Sequence, residues 1–231
     1  YKLESSARIN SITVVVDNDN WNNTIGDKIR NLYADEYEGL PQIEERFTLK
    51  QMPYEAFSGF SRSSRNIIFI NKTSNPEFFF EADKYARPQI YLEIKGNSIK
   101  SLLDQIDKSK KEAINKFTNG EIEENKRRIL KSPLKDTSAM EDFLIDMKMP
   151  SAYSLYKQDK NFIWYQKQIQ KGHSNIIVTQ LPSQKNIFDY NIPSLIKLRD
   201  SIGEVFLPGR NPESFMISEK EYLPYQKKIS Y

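Results

Sequence analysis

Thr48–Ile70 reads T-L-K-Q-M-P-Y-E-A-F-S-G-F-S-R-S-S-R-N-I-I-F-I, and Ile145–Tyr165 reads I-D-M-K-M-P-S-A-Y-S-L-Y-K-Q-D-K-N-F-I-W-Y. Met52-Pro53 answers Met149-Pro150, Ala56-Phe57 answers Ala152-Tyr153, and Arg65-Asn66-Ile67-Ile68-Phe69 answers Lys160-Asn161-Phe162-Ile163-Trp164. The second stretch is two residues shorter between the matched blocks. Such recurrence predicts a tandem duplication and therefore two related halves. The expected fold is α+β, each half a small antiparallel sheet with helices packed on one face. The halves are read as 1–131 and 141–231, joined by a linker over 132–140, the second cut short at its C-terminus.

Working outward, Ile12–Val16 is a β-branched run that suits a buried strand. Asp17-Asn18-Asp19-Asn20 breaks it as a turn. Thr24 reads as a helix cap, and Ile25, Ile29, Leu32 and Tyr33 form the inner face of that helix, with Gly39 and Pro41 as its stop. Phe47–Met52 and Asn66–Asn71 read as strands. Asn75-Pro76 opens a short helix through Phe78-Phe79-Phe80 in this reading. Gln89–Lys95 alternates as a half-buried strand.

The longest helical stripe runs Ile99, Leu102, Leu103, Ile106, Ala113, Ile114 and Phe117. Asn119-Gly120 is expected to break or kink it, and Pro133 to end it. Strands are expected at Phe143–Met149, Asn161–Lys167 and Asn175–Leu181. A last helix follows, with Leu195, Leu198, Ile202, Val205 and Phe206 inward. A strand over Ser214–Ser218 and the tail Tyr222–Tyr231 close the chain.

The 231 residues hold 13 Tyr, 13 Phe and 2 Trp, enough to build a core, and carry a net charge of +3, too small to argue for nucleic acid. No cysteine is present, which excludes disulfides, thiolate metal sites and cysteine nucleophiles within this stretch. No run of about 18 apolar residues occurs, so no helix spans a membrane. The chain opens on Tyr1 and is read as a processed or trimmed piece, for which any signal peptide would lie upstream.

No residues emerge as catalytic or as metal ligands. Asp17–Asn20 resembles a calcium loop but places Asn22 and Lys28 where that loop needs Gly and Glu. The lone His173 stands in an apparent turn and lacks triad partners. A rival reading pairs Asp17 or Asp19 with Glu44 or Glu45 for glycoside hydrolysis. For binding, the candidates are Trp21 and Phe78, Phe79 and Phe80 as protein contacts, and Lys126, Arg127 and Arg128 as a contact for anionic polymer or lipid. The loops Asp17–Trp21 and Glu38–Arg46 are expected to carry contacts as well. No cofactor is implied.

The residues Ser6–Asn10, Ile12–Asp17, Trp21, Ile25-Gly26-Asp27, Ile29-Arg30, Leu40-Pro41-Gln42, Glu44, Phe47, Arg65–Ile68, Pro150, Tyr153, Phe162–Trp164 and Arg199-Asp200 together resemble the uncharacterised envelope lipoproteins of Bacteroidetes, a domain of unknown function of the 4837 type. Departures from that pattern are Asn22 after the Trp and Ile43–Arg46 where a second Pro is usual; the lipid-bearing Cys and a Gly- and Trp-containing C-terminal part are missing. The resemblance implies an outer-membrane lipoprotein facing the periplasm or the surface, anchored by an upstream lipid. Its partners would be envelope proteins, as a subunit of an outer-membrane complex, with no nucleic acid and no catalytic residue. The expected function is a non-catalytic accessory or binding subunit.

Overall fold

The computed structural model describes residues 2–37, 44–170, 172–180, 191–211, 213–219 and 221. The expected helix stop at Gly39 and Pro41, most of the contact loop Glu38–Arg46, and the tail Tyr222–Tyr231 lie outside them. The elements are β1 (Leu3–Glu4), β2 (Ser11–Val15), α1 (Asn18–Trp21), α2 (Thr24–Tyr33), β3 (Thr48–Met52), β4 (Asn66–Lys72), β5 (Glu77–Ala82), β6 (Ala86–Arg87), β7 (Ile90–Gly96), α3 (Ile99–Lys131), α4 (Ser138–Glu141), β8 (Ser154–Asp159), β9 (Phe162–Ile169), β10 (Gly172–Thr179) and α5 (Ile192–Phe206). The α+β class is as expected. The chain divides into two units near Lys126.

The first unit holds a five-stranded sheet in the order β3-β2-β4-β7-β5. Here the expected antiparallel sheet is corrected: β3, β2, β4 and β7 run parallel, and only the edge strand β5 is antiparallel. Parallel neighbours need crossovers of roughly a dozen residues or more. Residues 53–65 carry the chain from β3 past β2 to β4, a crossover of that length. One sheet face, with Ile12, Val14, Ile68, Ile70, Leu92 and Ile94, lies under Ile25, Ile29 and Tyr33 of α2 and Leu102, Ile106 and Phe117 of α3. The other face carries Val15, Ile67 and Tyr91 and is covered by Phe57, with Tyr54, Phe69 and Tyr85 alongside. Burial on both faces is what parallel sheets require. It explains why every residue of β2 is buried and why Tyr91 and Glu93, in the strand read as half-buried, are buried too.

Two local expectations are corrected here. Phe78-Phe79-Phe80 is strand, not helix: Phe78 and Phe80 lie opposite Ile94 and Leu92 and pack on the core, while Phe79 lies opposite Glu93 on the other face. Consecutive aromatics favour such a pleated surface. The helix α3 also runs unbroken through Asn119-Gly120. Gly120 serves close packing instead, since a Cβ there would come 2.8 Å from Ile90 Cδ1.

The second unit is an antiparallel meander in the order β10-β9-β8. Ile163, Tyr165, Ile176 and Val178 of the sheet pack with Ala139, Met140, Met149 and Tyr153. Residues 132–140, read as a linker, thus bring Ala139 and Met140 into this core. The strand expected at Phe143–Met149 is irregular chain, and the strand lies at Ser154–Asp159. Phe143, Ile145 and Met147 do turn inward and Leu144 is 97% exposed, so the alternation imitates a strand without pairing as one. His173, read as part of a turn, belongs to β10. Val205, expected inward, is exposed.

The two units therefore do not fold alike. The matched blocks both lead into a central strand, β4 or β9, yet β4 pairs parallel with both neighbours and β9 antiparallel.

Candidate functional site

In the second unit, α5 lies against the sheet face opposite the Met140 core. Asn191 caps the helix by accepting from the Ser194 amide at 3.0 Å, and Pro193 sits in the first turn, where its missing N–H costs nothing. The C-terminal end is fastened by Phe206, which stacks on Phe162 with ring centres 4.3 Å apart, while Lys157 Nζ donates to the Phe206 carbonyl at 3.1 Å. A Cβ on Gly203 would lie 2.0 Å from the Met216 carbonyl oxygen, so only glycine lets residues 214–218 cross the helix so closely. Ser218 N–H donates to Asp200 Oδ1 at 2.7 Å and fixes that crossing.

Between β10 and α5 this leaves a groove of about 580 Å³, which Leu207 and Met216 also line. Asn175, Ile177 and Thr179 form one wall and Leu195, Leu198, Arg199 and Ile202 the other. Such a volume, with mostly apolar walls and a few polar groups, suits binding. Among the described lining residues Arg199 alone is charged, and it is exposed. On the same face Trp164 packs 4.4 Å from Tyr156 and donates through Nε1 to Asn175 Oδ1 at 2.9 Å.

The structure scatters the site residues expected in the first unit. Asp17 caps α1, accepting from the Asn20 amide at 2.8 Å and standing 3.5 Å from Lys72 Nζ. Burial pushes its carboxyl up, but the Asn20 hydrogen bonds and the Lys72 charge outweigh that and hold it below the ordinary carboxylate range. Beside it, burial and the Asp17 charge push the Tyr54 phenol up to about 12, and its hydroxyl donates to the Ile70 carbonyl at 2.6 Å. Asp17 and Lys72 sit at the carboxyl ends of β2 and β4, where strand order reverses and open sheets commonly take ligands. Here those groups are spent on one another. Asp19 and Glu44 are exposed. Glu45 joins Trp21, Arg30, Asp35 and Glu36 around a separate cavity of about 480 Å³, which neither Asp17, Asp19 nor Glu44 lines. Trp21 is half-buried, with the Arg30 guanidinium 4.6 Å from its ring centre.

Phe79 is flanked by Lys95 at 4.9 Å and Lys84 at 5.9 Å, while Phe78 and Phe80 belong to the core edge. Lys126, Arg127 and Arg128 lie near the end of α3, where Lys126 is paired with Glu123 at 2.8 Å. Among the described residues no helix is long and apolar enough to cross a membrane.

Two features escaped the sequence reading. One is the groove itself, whose only signal was the Leu195, Leu198, Ile202 stripe, which looked like ordinary core. The other is a buried ion pair. Glu121 of α3 accepts from Arg65 Nε at 2.7 Å and Nη2 at 3.0 Å, from Asn66 Nδ2 at 2.6 Å and from the Asn10 amide at 2.7 Å. Arg65 and Glu121 are each 2% exposed. Asn10, Arg65 and Asn66 all belong to the recurring or resembling stretches, so part of that pattern is structural.

No curated protein and no solved structure matches the chain significantly. Residues 132–231 match the family model described as Domain of unknown function (DUF4837), which bears out the 4837-type resemblance for the second half. The first-half residues of that resemblance fall under a different model. Since that model, Domain of unknown function (DUF8532), matches residues 5–130, more than half of the sequence, the chain belongs to that family.

Proposed function

We propose that this chain is a non-catalytic accessory subunit of the bacterial cell envelope that works by holding another protein. The groove between β10 and α5 carries this reading. Its walls keep apolar side chains in water, with Ile177 36% and Met216 43% exposed. Apolar surface left wet forgoes about 25 cal/mol per Å², and grooved apolar patches of this kind mark interaction sites. The placement in the envelope, the Bacteroidetes origin and the upstream lipid anchor are supported by the resemblance set out above.

The test is a pull-down of the full chain from native membranes, comparing wild type with Ile177→Lys. Ile177 is exposed enough to accept lysine without unfolding, which an unchanged Tm checks. One partner retained by wild type and lost by the variant is expected. Recovery indifferent to the substitution, or no stable partner at all, refutes the proposal.

A further inference from the structure

The two edges of the second unit's sheet differ in how they are guarded. Exposed edges offer unpaired N–H and C=O groups, and proteins commonly blunt them with charges, proline or bulges. The β8 edge has two of these: it carries Lys157 and Asp159, and its register shifts between Leu155 and Lys157. In the first unit the edge strands β3 and β5 carry Lys50 and Glu77 with Glu81. The β10 edge reads G-H-S-N-I-I-V-T, without proline, acid, lysine or arginine. It keeps unbroken register with β9 from Gly172 to Thr179, and among the described strands it has a neighbour on one side only. This unguarded edge borders the groove.

The groove walls have matching periods. Asn175, Ile177 and Thr179 recur every second residue, the period of a strand. Leu195, Leu198 and Ile202 recur at helical spacing on the facing wall. An extended peptide laid along β10 would place alternate side chains into this groove and pair with the edge that no other described strand covers.

We infer that the partner is bound as an added β-strand on β10, its alternate apolar side chains in the groove and an acidic side chain against Arg199. This rests on the groove reading above and goes beyond it in naming the mode and chemistry of the bound segment. The acid follows from charge complementarity, because Arg199 is the one charge among the described lining residues.

The test uses the full chain and three short labelled peptides, read by fluorescence anisotropy and amide hydrogen exchange. The first alternates valine with glutamate, the second valine with lysine, and the third is the first with alternate backbone nitrogens methylated. The glutamate peptide is expected to bind and to slow exchange across Gly172–Thr179 while leaving Ser154–Asp159 unchanged. The lysine peptide should bind about fivefold more weakly, as befits an exposed ion pair, and Arg199→Glu should reverse that order. Backbone methylation should abolish binding, because the side chains remain but the strand hydrogen bonds cannot form.

Equal binding by the methylated peptide overturns strand addition and leaves the groove reading standing. So does failure of every peptide while a membrane partner is still lost on Ile177→Lys. A dimer in sedimentation, with β10 already protected before any peptide is added, assigns the edge to a second copy of this chain and overturns the inference. If neither peptides nor a native partner respond to Ile177→Lys, both readings fail.

Discussion

Replacing Glu121 by glutamine removes a charge and almost no volume, yet it should be among the most damaging substitutions in the first unit. Four donors converge on the two carboxylate oxygens: Arg65 Nε and Asn66 Nδ2 on Oε1, Arg65 Nη2 and the Asn10 amide on Oε2. Glutamine turns one oxygen into an NH₂, so in either orientation two donors face a third donor. The guanidinium stays buried, its remaining acidic neighbour being Glu124 with Oε1 at 3.7 Å. Stranding one member of a buried pair costs about 3–5 kcal/mol, and the isosteric amide places this variant near 3 kcal/mol. With a urea m value near 2 kcal/mol/M, the unfolding midpoint should fall by roughly 1.5 M. Replacing both Arg65 and Glu121 by leucine should restore part of that loss, since an apolar pair needs no counter-charge. The recovery stays partial because the Asn10 amide is then left unpaired. Urea melts followed by circular dichroism read all three proteins. A midpoint within about 0.3 M of wild type for Glu121→Gln would show that the pair contributes little.

Asp17→Ala should cost about 0.5–2 kcal/mol through the lost helix cap. Because the folded pKa of Asp17 is lowered, the ionised group adds stability that is complete above its unfolded value of 3.8 and fades as pH falls through the lower folded value. The gap between wild type and variant should therefore be constant near neutrality and narrow only below that point, as paired melts at several pH values will show. Gly26→Ala should cost about 3 kcal/mol or more, because the new Cβ would stand 1.8 Å from the Trp21 carbonyl oxygen and force α1 off α2; a lower Tm with altered tryptophan fluorescence checks it. Phe117→Ala should cost about 3–5 kcal/mol, removing a fully buried ring that meets Tyr33 and Phe47 edge-on at 6.2 Å; a denaturant melt that moved by less than about 1 kcal/mol would contradict it.

Sequence alone determined the α+β class, the strands around Thr48–Met52, Asn66–Lys72 and Ile90–Gly96, and the helices α2 and α3 with most of their buried stripes. These are written in periods of two and 3.6 residues, which need only near neighbours to be legible. It also held the 4837-type resemblance of the second half. Tertiary structure decided what periodicity cannot carry. Whether β4 pairs parallel or antiparallel depends on where its crossovers run, so two similar stretches entered two different sheets. Arg65 finds Glu121 across 56 residues of chain, whereas its counterpart Lys160 is left in water. The Phe78–Phe80 run became strand because β7 offered it a register. The groove exists because Phe206 stacks on Phe162 and Gly203 lets residues 214–218 cross α5, which sets the helix beside β10 with Ile177 still partly exposed, an outcome of packing between segments far apart in sequence.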